Sequence, residues 1–532
     1  MTLSIESLPQ DIVDDIVSYL LPDGFKPKEP CDKRTKPSPP LAPLATVSRR
    51  LQAAVERLTF KYIEIDSGVL EQFEEVFTVA RRPLLTSLTF TAVLPAYDSA
   101  DAVRAESPAD RAANDERYSR SVQDLFRILL SWEVEDPRII DSRLVLVISH
   151  PASPTDSPWP SSFAPWRVED DSTRKASIHE GRYLHSYIEL LHPDKLPVLR
   201  RIRELVMLEP RERWWYRNVC PNVPFVLASH MPNLEGIQFT VDDNEERFPD
   251  LRKHNRDEAA RSIQALSLPN LKRLCLNFLH RRYRNEGASP PVLHEPGPDP
   301  LSLAICQLSL NLVDVDVSGV FDLSLLRPLQ GLSETSWPNL KYLAIEIHAM
   351  TPSGGWYFTG RGPALSTSAR SALATSQHTL STLHEEEFRF LREAEYANLV
   401  PFDLFRMKVN EETLAPFIEA YADALSVMPK LKSAALNCQL SVVSPEDNEP
   451  CWFNLSFFAP CPNAKEYLPN RRCPKCGDTA TRQLITSYLG WVPSEELTVK
   501  LRSIQDRFSK EPMVEKDVDT YLMERENYVD SD

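Results

Sequence analysis

Glycine is the first shortage: the chain has 14 in 532 residues, about 3% where a usual protein has about 7%. So few glycines argue against glycine-rich loops that cradle nucleotides, and none of G-x-x-x-x-G-K-(S/T), G-x-S-x-G or H-E-x-x-H occurs. Gly354, Gly355, Gly360 and Gly362 fall together in a Ser/Thr-rich stretch rather than between a strand and a helix. Positive charge is also short, with 60 Lys plus Arg against 76 Asp plus Glu and a net charge of −16. A nucleic-acid surface is thereby disfavoured, because neutralising phosphates needs clustered cations. No run approaches the ~18 apolar residues of a membrane span, and Glu6 places acid where a secretory leader carries positive charge. The expectation is a chain of the cytoplasm, the nucleus or both, without a membrane. The nine cysteines are odd in number, and Cys275, Cys306 and Cys438 stand singly inside apolar runs, as reduced core thiols do.

Proline is plentiful instead, 45 residues, about 8% against a usual 5% or so. Strands and loops punctuated by proline follow. The length suggests about three ordinary units unless the chain is a repeat array, which escapes the size limit of a single core.

Leu8-Pro9-Gln10-Asp11-Ile12 places a proline at a helix start, where its missing N–H costs nothing. Ile12, Val13, Ile16, Val17 and Leu20 then share one helical face. From Leu41 to Phe60 a second helical pattern sets Leu44, Val47, Leu51, Val55 and Leu58 at three- and four-residue steps, with Ala45, Ala53 and Ala54 permitting close approach. Two such helices cannot bury both apolar faces alone. They call for each other and for a partner.

Leu8-Pro9-x-x-Ile12-x-x-x-Ile16-x-x-x-Leu20, followed by Leu41-Ala42-Pro43-Leu44-Ala45-Thr46-Val47-Ser48-Arg49-Arg50-Leu51, resembles the F-box, particularly the form found in many fungal F-box proteins. The resemblance implies a small helical module packed against a Skp-type adaptor of a cullin ubiquitin ligase. On that resemblance Leu8, Pro9, Ile12, Ile16, Leu20, Leu44, Val47, Ser48 and Leu51 carry or support the contact. It covers about a ninth of the chain. Leu51 stands where many relatives have an aromatic residue, and the Pro- and Lys-rich stretch 22–40 is longer than the usual connection.

Beyond the module, Pro-x-Leu-x-x-(Leu/Ile)-x-(apolar) recurs, beginning at Pro83, Pro232, Pro269 and Pro338, and more weakly at Pro429. Two looser copies run from Leu199 to Met207 and from Leu310 to Val317. Each ends in period-two alternation, the mark of a strand with one buried face, and segments such as Asp257 to Leu266 between copies have helical spacing. The expected fold class is α/β: a helical module, then an irregular leucine-rich-repeat-like solenoid with a parallel sheet. Residues 1–66 are read as the module with its inserted loop, 67–470 as the repeat body, and 471–532 as a C-terminal cap and charged tail. Ala96 to Arg120, Pro151 to Lys175, Arg281 to Pro300 and Pro352 to Gln377 are expected to be mobile loops, because their compositions offer little apolar area. The helical pattern Thr413 to Met428 and the Gly490-Trp491-Val492-Pro493 stretch also resemble the same fungal group.

Chemistry is sparse. Cys473-Pro474-Lys475-Cys476 is a zinc-knuckle half, and with Cys451 and Cys461 four ligands can be counted, but the first pair lacks knuckle spacing. No metal and no cofactor are expected, with that cysteine set as the alternative. His179, His185 and His192 read as solvent-facing, and Glu385-Glu386-Glu387 as a charged helix face. Two aromatic groups follow strand patterns, Trp214-Trp215-Tyr216 and Trp356-Tyr357. Loops at the carboxyl ends of parallel strands are where ligands are commonly met, so both are expected to contact a protein substrate. The expected function is non-enzymatic: a substrate-recognition adaptor of a Skp/cullin/F-box ligase. A scaffold acting outside a ligase is the alternative.

Overall fold

The computed structural model describes residues 8–20, 41–98, 101, 106–156, 186–207, 217–243, 249–280, 286, 289–333, 336–360, 406–443, 450–460 and 481–517. The chain divides into two compact units, residues 1–240 with 267–271, and residues 241–266 with 272–532. The fold is α/β, with parallel strand pairs predominating.

The first unit opens with α1 (Gln10–Tyr19), α2 (Ala42–Ala45) and α3 (Arg49–Thr59). The single second helix expected from Leu41 to Phe60 is thus two. Ser48, extended at φ −158° and ψ 159°, breaks it and caps α3 by accepting the Leu51 amide at 3.2 Å. There follow β1 (Tyr62–Asp66), α4 (Leu70–Val76), β2 (Ser87–Val93), α5 (Pro108–Glu135), β3 (Leu144–Ala152), β4 (Ile202–Met207), α6 (Val223–Ser229) and β5 (Gly236–Asp242). Strands β1 to β5 pair in chain order, all parallel.

The expected mobile loop from Ala96 to Arg120 holds instead the first half of a 28-residue helix. Ser107 and Asp110 close a capping box at its start, and Tyr118, Val122, Leu125, Phe126 and Leu129 bury one face. Composition misjudged it because alanine and paired charges suit a helix as well as a loop.

In the second unit come α7 (Pro249–Gln264), β6 (Arg273–Leu279), α8 (Pro300–Ser309), β7 (Asp314–Gly319), β8 (Tyr342–Ile347), β9 (Phe358–Thr359), β10 (Lys408–Val409), α9 (Leu414–Ser426), β11 (Ser433–Val443), β12 (Pro450–Phe458), β13 (Arg482–Ser487), α10 (Glu495–Arg502) and β14 (Met513–Asp517). Strands β6, β7, β8 and β11 are parallel neighbours. β12 then runs antiparallel to both β11 and β13, so the expected parallel sheet is interrupted near its end by a reversed strand.

Each proline-led repeat becomes a turn and a strand whose alternate residues enter the core. Leu274, Val315, Leu343 and Ala434 are register partners across four strands, as are Leu276, Val317, Ile345 and Leu436, and all eight are buried. In the first unit Leu146, Leu205 and Ile237 form the same kind of row. Burying each Leu, Ile or Val of these rows stabilises by about 1.5–3 kcal/mol, and a one-residue slip would turn the whole row outward. The repeat is therefore also a register code.

Candidate functional site

In the N-terminal module α1 and α3 enclose Val13, Val17, Leu41, Leu51, Ala54 and Val55. Leu8, Leu44, Ala45 and Leu58 pack against this small core half-buried. Polar contacts fix the crossing. The Gln10 side-chain amide donates to the Arg50 carbonyl at 3.0 Å, Arg50 donates to the Leu8 carbonyl, and Arg57 pairs with Asp14. Arg81 ties α3 to the segment behind it, with Nη2 2.8 Å from Glu56 Oε1 and its guanidinium 4.8 Å from the centre of the Phe60 ring. The hydrogen bond from Arg81 holds the Glu56 carboxyl below its ordinary pKa, against a smaller opposing effect of burial.

The core uses only part of the apolar surface of α1. Ile12, Ile16 and Leu20 are 42%, 39% and 51% exposed, and Val47, in the turn before α3, is 67% exposed. At 100° per residue, Ile12, Ile16, Tyr19 and Leu20 fill an arc of about 100°, and Val13 and Val17 extend it to about 160°. An ordinary surface helix carries a stripe of about 100° and turns it inward. Here the stripe is wider than the module can cover. Its outer part faces solvent.

The nine residues expected to carry or support docking therefore separate by role. Ile12, Ile16 and Leu20 present the outer surface of this stripe, and Val47 before α3 and Pro9 before α1 are exposed as well. Leu51 is buried inside the module, and Leu8 and Leu44 pack onto its core, so these three support the surface from behind. Ser48 acts through the α3 cap. Tyr19, the most exposed ring of this face, was missed, although its spacing of seven from Ile12 and three from Ile16 places it there.

The aromatic expectations fare differently. Trp214, Trp215 and Tyr216 lie outside the described residues. Trp356 and Tyr357 are buried, which corrects their assignment to a substrate surface. The Tyr357 hydroxyl donates to the Phe321 carbonyl at 2.7 Å, Trp356 packs with Leu293, Val320 and Met350, and the Arg406 guanidinium lies 4.7 Å from the centre of the Trp356 ring. The part of the expected loop from Pro352 to Thr359 is thus core-forming, and residues 361–377 lie outside the described ones. Asn410 and Thr413, in the segment leading into α9, approach the same turn: both side chains donate to the Trp356 carbonyl, at 3.0 and 2.8 Å. Thr413, the N-cap residue of α9, therefore spends its hydroxyl there and makes no side-chain cap hydrogen bond to the helix.

Two buried polar groups stand at the carboxyl ends of parallel strands. In the first unit Arg217 pairs with Glu106, and Ser186 and Asn114 also bond the Glu106 carboxylate. Tyr97, Glu106, Asp110, Asn114, Ser153 and Arg217 line a small pocket open to solvent. In the second unit Asp243, just past β5, receives Arg252 at 2.8 Å and Arg256 at 2.6 Å, and Arg256 also meets Asp299, the N-cap of α8, at 3.3 Å. Burial alone would raise the Asp243 carboxyl, but Arg252 and Arg256 outweigh it and hold it well below the usual range. His280, just past β6, meets His348 edge to face with ring centres 4.9 Å apart, and neither of its ring nitrogens has a hydrogen-bond partner among the described residues. Burial, then the charge of Arg252, pushes its pKa well down. Every acid in these groups is engaged in holding a guanidinium or capping a helix, which is structural work.

Among the described residues no three His, Cys, Asp or Glu side chains come together as metal ligands, and no helix is long and apolar enough to cross a membrane. Cys451 lies half-buried on β12, and Cys461, Cys473 and Cys476 are outside the described residues. Compared with protein-family models and with curated proteins, the chain finds no match.

Proposed function

We propose that this protein is a substrate-recognition adaptor of a Skp/cullin/F-box-type ubiquitin ligase, in which residues 1–66 form the F-box and the remainder is an irregular leucine-repeat-like body holding a protein substrate. One observation carries the proposal: α1 is apolar over about 160°, yet its module covers only the Val13 and Val17 side. The uncovered Ile12, Ile16 and Leu20 of this helix end, and the exposed Val47 before α3, coincide with the motif positions of the F-box resemblance. Exposed apolar surface of this kind favours a protein partner, and a Skp-type adaptor is the partner the resemblance implies. The recurring turn–strand units in parallel register support the repeat body. The chain then contributes binding and geometry, while other subunits transfer ubiquitin.

The test is copurification. Wild-type protein should bring down a Skp-type adaptor with a cullin, and Ile12→Asp combined with Leu8→Ala should lose both, since a carboxylate in the stripe would have to be desolvated unpaired. Lys33→Ala with Lys36→Ala, in the inserted stretch, should leave the complex standing. Adaptor capture without a cullin would favour a scaffold outside a ligase. No adaptor binding by the wild type at micromolar concentration would end the ligase reading.

A further inference from the structure

In the first unit the buried row of Ile237, Leu205 and Leu146 continues through Leu88 of β2 to Ile63 of β1. Leu88 is wholly buried, whereas Ile63 is only half-buried, and Ile65 stands in the same relation to its wholly buried partner Phe90. Position explains the difference: β1 ends the sheet order, and no strand pairs with its outer side among the described residues. The Lys61 carbonyl accepts the Thr86 and Ser87 amides at 3.0 and 3.1 Å, and the Ser67 amide donates to the Thr91 carbonyl at 3.0 Å. The odd-numbered residues of β1 therefore face β2, and Tyr62, Glu64 and Asp66 turn their backbone groups outward. The Asp66 carbonyl accepts the Val69 amide at 3.3 Å, but the N–H and C=O of Tyr62 and Glu64 meet no partner among the described residues. Tyr62, Glu64 and Asp66 are all exposed, so this edge is open to solvent.

An open edge is a template for another strand, and proteins ordinarily blunt it with proline, a bulge or charge. β1 has no proline and pairs with β2 without a register shift. It has charge of one sign instead. Residues 61–76, through β1 and α4, carry Glu64, Asp66, Glu71, Glu74 and Glu75 against Lys61 alone. Glu64, Glu71, Glu74 and Glu75 are exposed and hold no cation among the described residues. Two copies of this chain meeting edge to edge about Glu64 would set like charges directly opposite, which opposes self-association. A basic strand meets the reverse condition. Its cations lie beside Glu64 and Asp66, and the apolar residues between them complete the cover of Ile63 and Ile65.

We infer that the free edge of β1 takes up, as an added strand, an extended segment of a partner protein in which basic and apolar residues alternate. β1 is about 17 Å long, so about five residues of the partner fill it. Main-chain hydrogen bonds to Tyr62 and Glu64 supply the attachment, and the alternation supplies the selectivity. The inference goes beyond the adaptor reading. Its assay needs no adaptor, so failure of adaptor capture and failure here are read separately.

The probe is a labelled peptide of about ten residues, lysine and valine alternating between glycine–serine ends, titrated with the full chain by fluorescence anisotropy. One control copy is N-methylated along its central residues, and another has its lysines and valines in blocks. Saturable binding of the alternating peptide is expected, about tenfold or more tighter than either copy, with slowed amide exchange at residues 62–66. Glu64→Lys should weaken it about tenfold or more, as loss of charge complementarity requires. Glu64→Pro removes an outward N–H and leaves the β2 ladder intact, and should weaken it as much. Glu495→Gln with Glu496→Gln, exposed acids of α10 in the second unit, should leave it unchanged. Equal binding by the N-methylated copy, equal losses in the α10 control, undiminished affinity in both Glu64 variants or no saturable binding by the wild type would each overturn the assignment. So would a free chain that is already a dimer with residues 62–66 protected, which would give the edge to a second copy.

Discussion

Arg252 meets Asp243 side-on, with Nε 2.8 Å from Oδ1 and Nη2 3.1 Å from Oδ2, and both side chains are almost wholly buried. A buried pair contributes little net stability, because desolvation offsets attraction, but removing one partner strands the other. Asp243→Asn should therefore destabilise the second unit by about 3–5 kcal/mol. Replacing Asp243 with Leu together with Met at Arg252 and Arg256 should recover much of that loss. Urea unfolding followed by tryptophan fluorescence checks both.

The same cluster makes stability pH-dependent. His280 faces Arg252, His348, Asp243 and Arg256, and its folded-state pKa is well below the ordinary value. As pH falls through about 6.5, the unfolded chain takes up a proton that the folded chain refuses. Stability is thus full above that pH and declines below it, with a limiting slope of about 1.4 kcal/mol per pH unit for this one group. His280→Leu should flatten the fall in urea midpoint between pH 7.5 and 5.5, as marked off from the acid losses of other groups by comparison with the wild type.

How much of this was legible in the sequence differs by element. The strands led by Pro83, Pro232, Pro269 and Pro338 were, because a turn-forming proline and period-two alternation are local signals. The helical pattern from Thr413 to Met428 was too: it became α9, and Leu414, Phe417, Tyr421 and Leu425 on one face of it are all buried. Strand β12 was not: its sequence lacks the Pro-x-Leu-x-x-(Leu/Ile) pattern of the repeat strands, and direction of pairing is a tertiary choice. Nor was the fate of Trp356 and Tyr357. Aromatic residues after a strand suit an interface and a core equally, and only the Phe321 carbonyl and the approach of Arg406 decide between them. The Asp243 cluster joins side chains from separate elements, so no motif announces it.

Tyr357→Phe tests that core placement. It leaves the Phe321 carbonyl without its donor, at a cost of about 1–3 kcal/mol. Trp356→Ala should cost about 3–5 kcal/mol by opening a cavity. Deleting 352–359 should accordingly lower the thermal midpoint sharply, and a midpoint unchanged within a degree or two would restore the loop reading.

On α1, neighbouring substitutions should separate folding from docking. Val17→Asp buries an unpaired carboxylate and should unfold the module, seen as rapid proteolysis between residues 8 and 60. Ile16→Asp faces solvent and should leave protease resistance intact while abolishing adaptor capture. If Ile16→Asp captures the adaptor as well as the wild type, the outer stripe is not the contact.

The junction between β8 and β11 has a consequence for the order in which the second unit assembles. Asp314 pairs with Tyr342 in register, and Tyr342 in turn pairs with Ser433. The first step closes about thirty residues of chain and the second about ninety, an added entropic cost of about 1 kcal/mol by the logarithmic dependence on loop length. Contacts among β6, β7 and β8 are rewarded early, whereas β11 and the strands hung upon it wait for the longer closure. A chain emerging from the ribosome can thus hold β6 to β8 in place well before its C-terminal strands exist, and those strands arrive at a template already set.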